Sequence, residues 1–237
     1  IICLSFIHVY NANDVFSNAF YMFLGGAFYL CVSVFFYLIM PSRYINIEMA
    51  ESMAQVSQYL RLRAQLWDND VDIEDLQNKR LALQVTIDDS FKKINEYLEV
   101  NKMKTINSKS NRKIIIAISF LNEIMELAIS TSFNNKQVML KLSENPQILK
   151  AIKELTLNFS TIIDQLAASI RAHATYKYQS SLSTQYSALA ALVQNIEPEN
   201  TDDEVYIASI LQYLNKQVEK INGLERVYTD GISVNNP

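Results

Sequence analysis

From residue 45 to residue 224 the apolar side chains recur at steps of three and four. Ile45, Met49, Met53, Val56, Leu60, Ala64 and Trp67 make one stripe, and Leu76, Leu83, Ile87, Phe91, Ile94 and Leu98 make a second, with one turn skipped at Arg80. Ile114, Ile118, Leu121, Met125 and Ala128 form a third, and Ile148, Ile152, Leu155, Phe159, Ile162, Leu166 and Ile170 a fourth. Leu182, Tyr186, Leu189, Val193 and Ile196 give a fifth, and Ile207, Ile210, Leu214, Val218, Ile221 and Leu224 a sixth. That step is the period of an α-helix, not of a strand. No Gly occurs between Gly26 and Gly223 and no Pro between Pro41 and Pro146, so the tight turns that strands need are missing. The pattern predicts an all-α fold with a bundle of about six helices. Ile115, Ile116, Phe120, Ile124 and Leu127 make the third segment apolar around most of its girth, which predicts the central helix. Asn122, Glu123 and Glu126 interrupt it and exclude a second span there.

The first forty residues follow a different rule. Residues 1–10 are an apolar run, residues 11–14 a polar bend, and residues 15–40 carry no formal charge. A helix over those last 26 residues is about 39 Å long, enough to cross a bilayer core of about 30 Å with some tilt. A signal peptide fits badly, since no basic segment precedes the apolar run and the run is too long. The chain opens on Ile1 inside an apolar stretch, so it reads as part of a longer protein. Residues 1–10 are then expected as the exit of a preceding span, which makes a transmembrane helical hairpin. Asp14 lies on one side of the span and Arg43 on the other, and the positive-inside rule puts the C-terminal side in the cytoplasm. Gly25, Gly26 and Ala27 allow another helix to approach closely. The many aromatics of the span, among them Phe16, Phe20, Tyr21, Phe23, Phe28 and Tyr29, suit either a substrate wall or lipid and interface contact.

The connectors support the helical reading. Asp68, Asp70 and Asp72 offer N-cap carboxylates to the second stripe, with Glu74 and Asp75 in its first turn. Asn145-Pro146 places Pro where a helix begins. Lys102, Lys104, Lys109, Arg112 and Lys113 form a basic stretch that suits lipid headgroups or plain solvation.

Composition removes several functions. The net charge is −4, all 21 Lys and Arg lie at or beyond Arg43, and this balance argues against nucleic-acid binding. The two cysteines, Cys3 and Cys31, sit in apolar surroundings and make no disulfide framework. His8 and His173 stand far apart without Cys or carboxylate at metal-ligand spacing. Asp68, Asp70 and Asp72 resemble the start of a calcium loop, but Ile73 stands where Gly is needed and Lys79 where a bidentate Glu is needed. Gly is too rare for a phosphate-binding loop, a dinucleotide fingerprint or a nucleophile elbow. Asn158-Phe-Ser160 matches a glycosylation triplet but lies on an apolar helix face. Nothing here points to catalysis, a metal or a cofactor.

Two blocks carry a family resemblance. Tyr59-Leu-Arg-Leu-Arg-Ala-Gln-Leu-Trp-Asp68, followed by Asp70-Val-Asp-Ile73, resembles the segment after the first membrane half of the YccS/YhfK-type branch of the fusaric-acid-resistance (FUSC) superfamily. Asn111-Arg-Lys-Ile-Ile-Ile116, running on to Asn122-Glu-Ile-Met-Glu126, resembles the second block of that domain. A Pro common near the Trp67-Asp68 turn is missing, with Asn69 and Val71 flanking Asp70. The residues that carry the resemblance are Tyr59, Leu60, Arg61, Arg63, Trp67, Asp68, Asp70, Arg112 and Lys113, and no catalytic role attaches to them. The resemblance implies membrane helices over residues 1–41, a cytoplasmic helical bundle over residues 42–227, and a polar linker over residues 228–237 toward a second membrane half. It implies a multi-pass protein of the bacterial inner membrane that exports aromatic carboxylic acids or similar small organic anions. The partners it implies are the lipid bilayer, further spans of the same chain and further copies in a homo-oligomer. A membrane-anchored interaction or signalling bundle without transport is the other reading of the same features.

Overall fold

The computed structural model describes residues 12–39, 41–68, 72–100, 109–130, 145–178, 181–194 and 201–229. Among them there are helices and no strands. The helices are α1 (Ala12–Ile39), α2 (Pro41–Ala64), α3 (Ile73–Val100), α4 (Lys109–Ser130), α5 (Pro146–Arg171), α6 (Leu182–Val193) and α7 (Thr201–Thr229). A 3₁₀ turn, Gln65–Trp67, closes α2. The chain divides into two units, Ile1–Tyr44 and Ile45–Pro237.

The first unit is described by α1. Its Phe16–Phe35 stretch is long and apolar enough to cross a membrane, and none of it is buried within the protein. Phe16, Phe23, Phe28 and Tyr29 all stand open, and among the described residues nothing lies within 4 Å of a Cβ built on Gly25 or Gly26. The preceding half of the expected hairpin, residues 1–11, lies outside the described residues.

In the second unit α2 to α7 share one hydrophobic core. The six stripes supply it, since Ile45, Met49, Met53 and Leu60 of α2, Ile87 and Ile94 of α3, and Leu121 of α4 are fully enclosed. Phe159 and Ile163 of α5 and Ile221 and Leu224 of α7 are enclosed as well. Apolar burial of this kind is worth roughly 25 cal/mol per Å². Helix directions follow from the paired residues. Glu51 of α2 meets Arg171 of α5 while Asp68 meets Lys153, so those helices run antiparallel. Gln55 meets Ser90 and Tyr59 meets Arg80, which sets α3 antiparallel to α2. Gln217 of α7 meets Ile124 of α4, and Tyr228 meets Lys113, so these two are antiparallel too. They also cross closely: a Cβ at Gly223 would come within 2.6 Å of the Phe120 ring.

The helix ends are built as the connectors suggest. The Asp72 carboxylate accepts from the backbone N–H of Glu74 at 3.0 Å and of Asp75 at 3.2 Å, which caps α3. Pro146 opens α5, where its missing N–H costs nothing. The end of α5 is unusual. His173 has φ of 51° and receives the left-handed role that Gly usually takes. Its N–H donates to Ile170 at 3.2 Å, and that of Ala174 to Ser169 at 2.9 Å. A non-glycine side chain in this conformation costs on the order of 1 kcal/mol.

One expectation fails in detail. α4 is not the most enclosed helix: Ile115 and Ile129 are about two-fifths exposed, and its buried side chains keep to one stripe. α2 and α5 bury wider faces, because Ala50, Ser52, Ser57 and Ala64 on one and Ser160 and Ala167 on the other admit neighbours closely. Aliphatic girth alone therefore did not locate the centre. α6 ends at Val193, and the last member of the fifth stripe, Ile196, lies outside the described residues.

Trp67 is 6% exposed and packs into the core where the 3₁₀ turn ends α2. Trp67→Ala is expected to cost about 3–5 kcal/mol in denaturant unfolding. As the single tryptophan it also reports directly, and an emission maximum typical of indole in water would contradict this packing.

Candidate functional site

The residues singled out in the sequence fall at two ends of the second unit. Tyr59, Leu60, Arg61, Arg63, Trp67 and Asp68 gather where α2 ends, while Arg112 and Lys113 lie in the first turns of α4. Asp70 lies outside the described residues.

α2 is tied to four other helices through this first group. The Arg80 guanidinium of α3 donates to the Tyr59 hydroxyl at 3.1 Å and covers its ring, with 5.3 Å between guanidinium carbon and ring centre. The turn skipped in the second stripe is thus filled by a cation. Ser57 donates to the Ser160 carbonyl of α5 at 2.9 Å, and both residues are buried. Arg61 pairs with Asp164 of α5 at 2.6 Å, and Asp68 with Lys153 at 2.5 Å. Leu60 is fully enclosed in the hydrophobic core. Asn158, in the dismissed glycosylation triplet, donates to Gln185 of α6 at 2.8 Å.

Arg63 differs from its neighbours because it is 1% exposed. Its Nη1 donates to the Ala128 carbonyl in the last turn of α4, and its guanidinium lies 4.9 Å from the Tyr213 ring centre of α7. The last carbonyls of a helix lack internal partners and carry its negative end, so a cation there answers both. The aromatic face of Tyr213 adds to that stabilisation. Gln217 completes the polar cluster: its Nε2 donates to the Ile124 carbonyl at 3.0 Å and to the Tyr213 hydroxyl at 3.4 Å. These are holding contacts. No nucleophile stands beside a base here, and no group of three His, Cys, Asp or Glu that could hold a metal lies among the described residues.

At the other end Arg112 is exposed, whereas Lys113 is half-buried with its ammonium 4.2 Å from the Tyr228 ring centre. Burial lowers the Lys113 pKa and raises that of the Tyr228 phenol. Sequence reading missed Tyr176, which sits in the non-helical stretch after α5, is buried, and donates to the Glu225 carboxylate at 2.7 Å. Burial and that hydrogen bond raise its phenol pKa. Glu225 is fully enclosed and was also missed, because a carboxylate within an amphipathic pattern reads as outward-facing.

The contrast between two arginines on one helix is measurable. Arg63→Ala is expected to cost about 2–4 kcal/mol, because it removes both a charge-assisted hydrogen bond and the packing of a cation on the Tyr213 ring. Arg63→Met, which fills the volume without the charge, is expected to cost much less. Arg61→Ala, whose ion pair is half in water, is expected to cost under about 1 kcal/mol. Urea unfolding of the three variants checks the order, and equal costs for Arg61→Ala and Arg63→Ala would contradict the assignment.

Comparison with known proteins supplies the family. Neither a curated protein nor a solved structure matches the chain significantly. A family model described as FUSC-like inner membrane protein yccS matches residues 1–224. That match takes in α1, both motif blocks and most of α7, so the chain belongs to the FUSC-like family of inner-membrane proteins.

Proposed function

We propose that the chain is a component of an inner-membrane exporter of small organic anions, aromatic carboxylic acids first among them. The observation that carries this reading is the family match, which runs without a break from the apolar helix into the helical unit. In this reading α1 is one span of a multi-pass protein, and residues 45–229 form a cytoplasmic domain that assembles or gates the spans. The chain carries out no covalent chemistry, takes no cofactor, and works as a homo-oligomer together with further spans of its own protein. Cargo then contacts the spans, where the open aromatic faces and the uncovered Gly25 and Gly26 of α1 offer both surface and room for a neighbouring helix.

A mechanical role for the helical unit fits its construction. α2 begins at Pro41, just after α1 ends at Ile39, and is tied by polar contacts to α3, α4, α5 and α7. A displacement entering at the start of α2 would reach the whole unit. The ion pairs and hydrogen bonds along α2 carry that coupling, and Arg63 is its innermost member.

Two experiments test this reading. Export is measured as accumulation of labelled aromatic acids in cells lacking the gene, with and without the restored full-length protein. Lower accumulation in restored cells is expected. Equal accumulation across a broad panel of acids would favour the membrane-anchored scaffold instead. Orientation is measured by labelling Glu96→Cys in a background with Cys3 and Cys31 replaced by Ser. Glu96 is exposed on α3, so a membrane-impermeant reagent is expected to reach it only in opened cells. Labelling in intact cells would reverse the orientation.

A further inference from the structure

A cavity of about 380 Å³ opens where the first turns of α2 and α4 meet the ends of α5 and α7. Its walls include Asn46, Lys113, Ile114, Ile170, His173 and Tyr228. Two of these are basic, and among the described residues no Asp or Glu lines it. Among the described residues no carboxylate pairs with Lys113. Its ammonium is instead held over the Tyr228 ring, half out of water. Several polar wall groups are already engaged within the protein. Ser169 and Thr229 spend their hydroxyl protons on the carbonyls of Leu166 and Glu225, and Tyr176 spends its own on the Glu225 carboxylate. Lys113, His173 and Asn46 keep donors to offer. Ile114, Ile170 and the ring of Tyr228 supply the apolar part of the wall.

The backbone adds an independent observation. The residue after the α5 cap takes φ of 51°, where Gly is the unstrained choice, yet an exposed His stands there and lines the cavity.

We propose that this cavity is a binding site for a small organic monoanion, its anionic head held by Lys113 and His173 and its apolar body laid against Tyr228, Ile114 and Ile170. A pocket of this size holds a one-ring acid with room to spare. Removing the charge of Lys113 from water before the ligand arrives makes the ion pair stronger when it forms. The site belongs to the helical unit and not to the spans. It therefore goes beyond the transport reading and is tested without export.

The test is calorimetric titration of the purified full chain in detergent with benzoate, benzamide and inorganic phosphate. Benzoate is expected to bind saturably, with benzamide and phosphate at least about tenfold weaker, since each lacks one half of the recognised chemistry. Lys113→Gln is expected to weaken benzoate about tenfold, and Lys113→Arg much less. His173→Gly is the decisive variant. It relieves the left-handed strain, so the melting temperature holds or rises, while benzoate binding falls by about threefold or more. Three results overturn the proposal. The first is no saturable benzoate binding, which leaves the two basic groups as partners of the carbonyl ends of α5 and α7. The second is benzamide or phosphate binding as tightly as benzoate. The third is benzoate affinity unchanged by both Lys113→Gln and His173→Gly.

Discussion

A guanidinium in an apolar interior has to be met by groups that stand in for water, and those groups must be in place before the charge can stay there. Arg63 imposes that condition on the helical unit. The end of α4 must present the Ala128 carbonyl, α7 must present the Tyr213 ring, and α2 must end where both are within reach. Register between three helices is thereby tied to one side chain. Apolar side chains alone would tolerate sliding, because one Leu-sized contact replaces another at little cost. A charge does not tolerate it. Gln217 acts in the same way and pins α7 to α4 one turn above Arg63's carbonyl partner.

The all-α fold was legible because a helical period survives even where the stripe residues differ in size. The six stripes from Ile45 to Leu224 correspond to helices, and Asp72 and Pro146 marked two of their starts. What periodicity could not show was which polar residues turn inward. Ser57, Ser160, Gln217 and Glu225 are buried, yet each reads as solvent-facing until its partner on another helix is known. Arg80 was a usable clue. A basic residue in the middle of an apolar stripe signals a specific partner, and the partner is Tyr59. Ile115 taught the opposite lesson: an isoleucine is allowed to face outward, so counting aliphatics exaggerated how enclosed α4 is. The cavity was illegible, since Asn46, Lys113, His173 and Tyr228 are spread across most of the chain and only helix direction brings them together. His173 had read as an isolated histidine without ligands.

α1 and the helical unit answer to different solvents. In the unit, exposed positions are mostly charged or polar, and the aromatics Tyr59, Trp67, Phe159 and Tyr213 turn inward. In α1 the aromatics are the exposed surface. For a helix in lipid this arrangement is at rest, because hydrocarbon makes no demand for charge outside and its backbone groups are satisfied within.

The ties on α2 are spread along its length: Glu51 to Arg171, Gln55 to Ser90, Ser57 to Ser160, Tyr59 to Arg80, Arg61 to Asp164, Arg63 to Ala128. They point in several directions around the helix and are loaded side by side, not one after another. A pull along the axis is therefore shared by all of them at once, as in a lap joint, and a twist of α2 by a single residue would break most of them together. α2 cannot turn like a key within its neighbours. Its softest motion is the motion of the whole unit as one stiff piece.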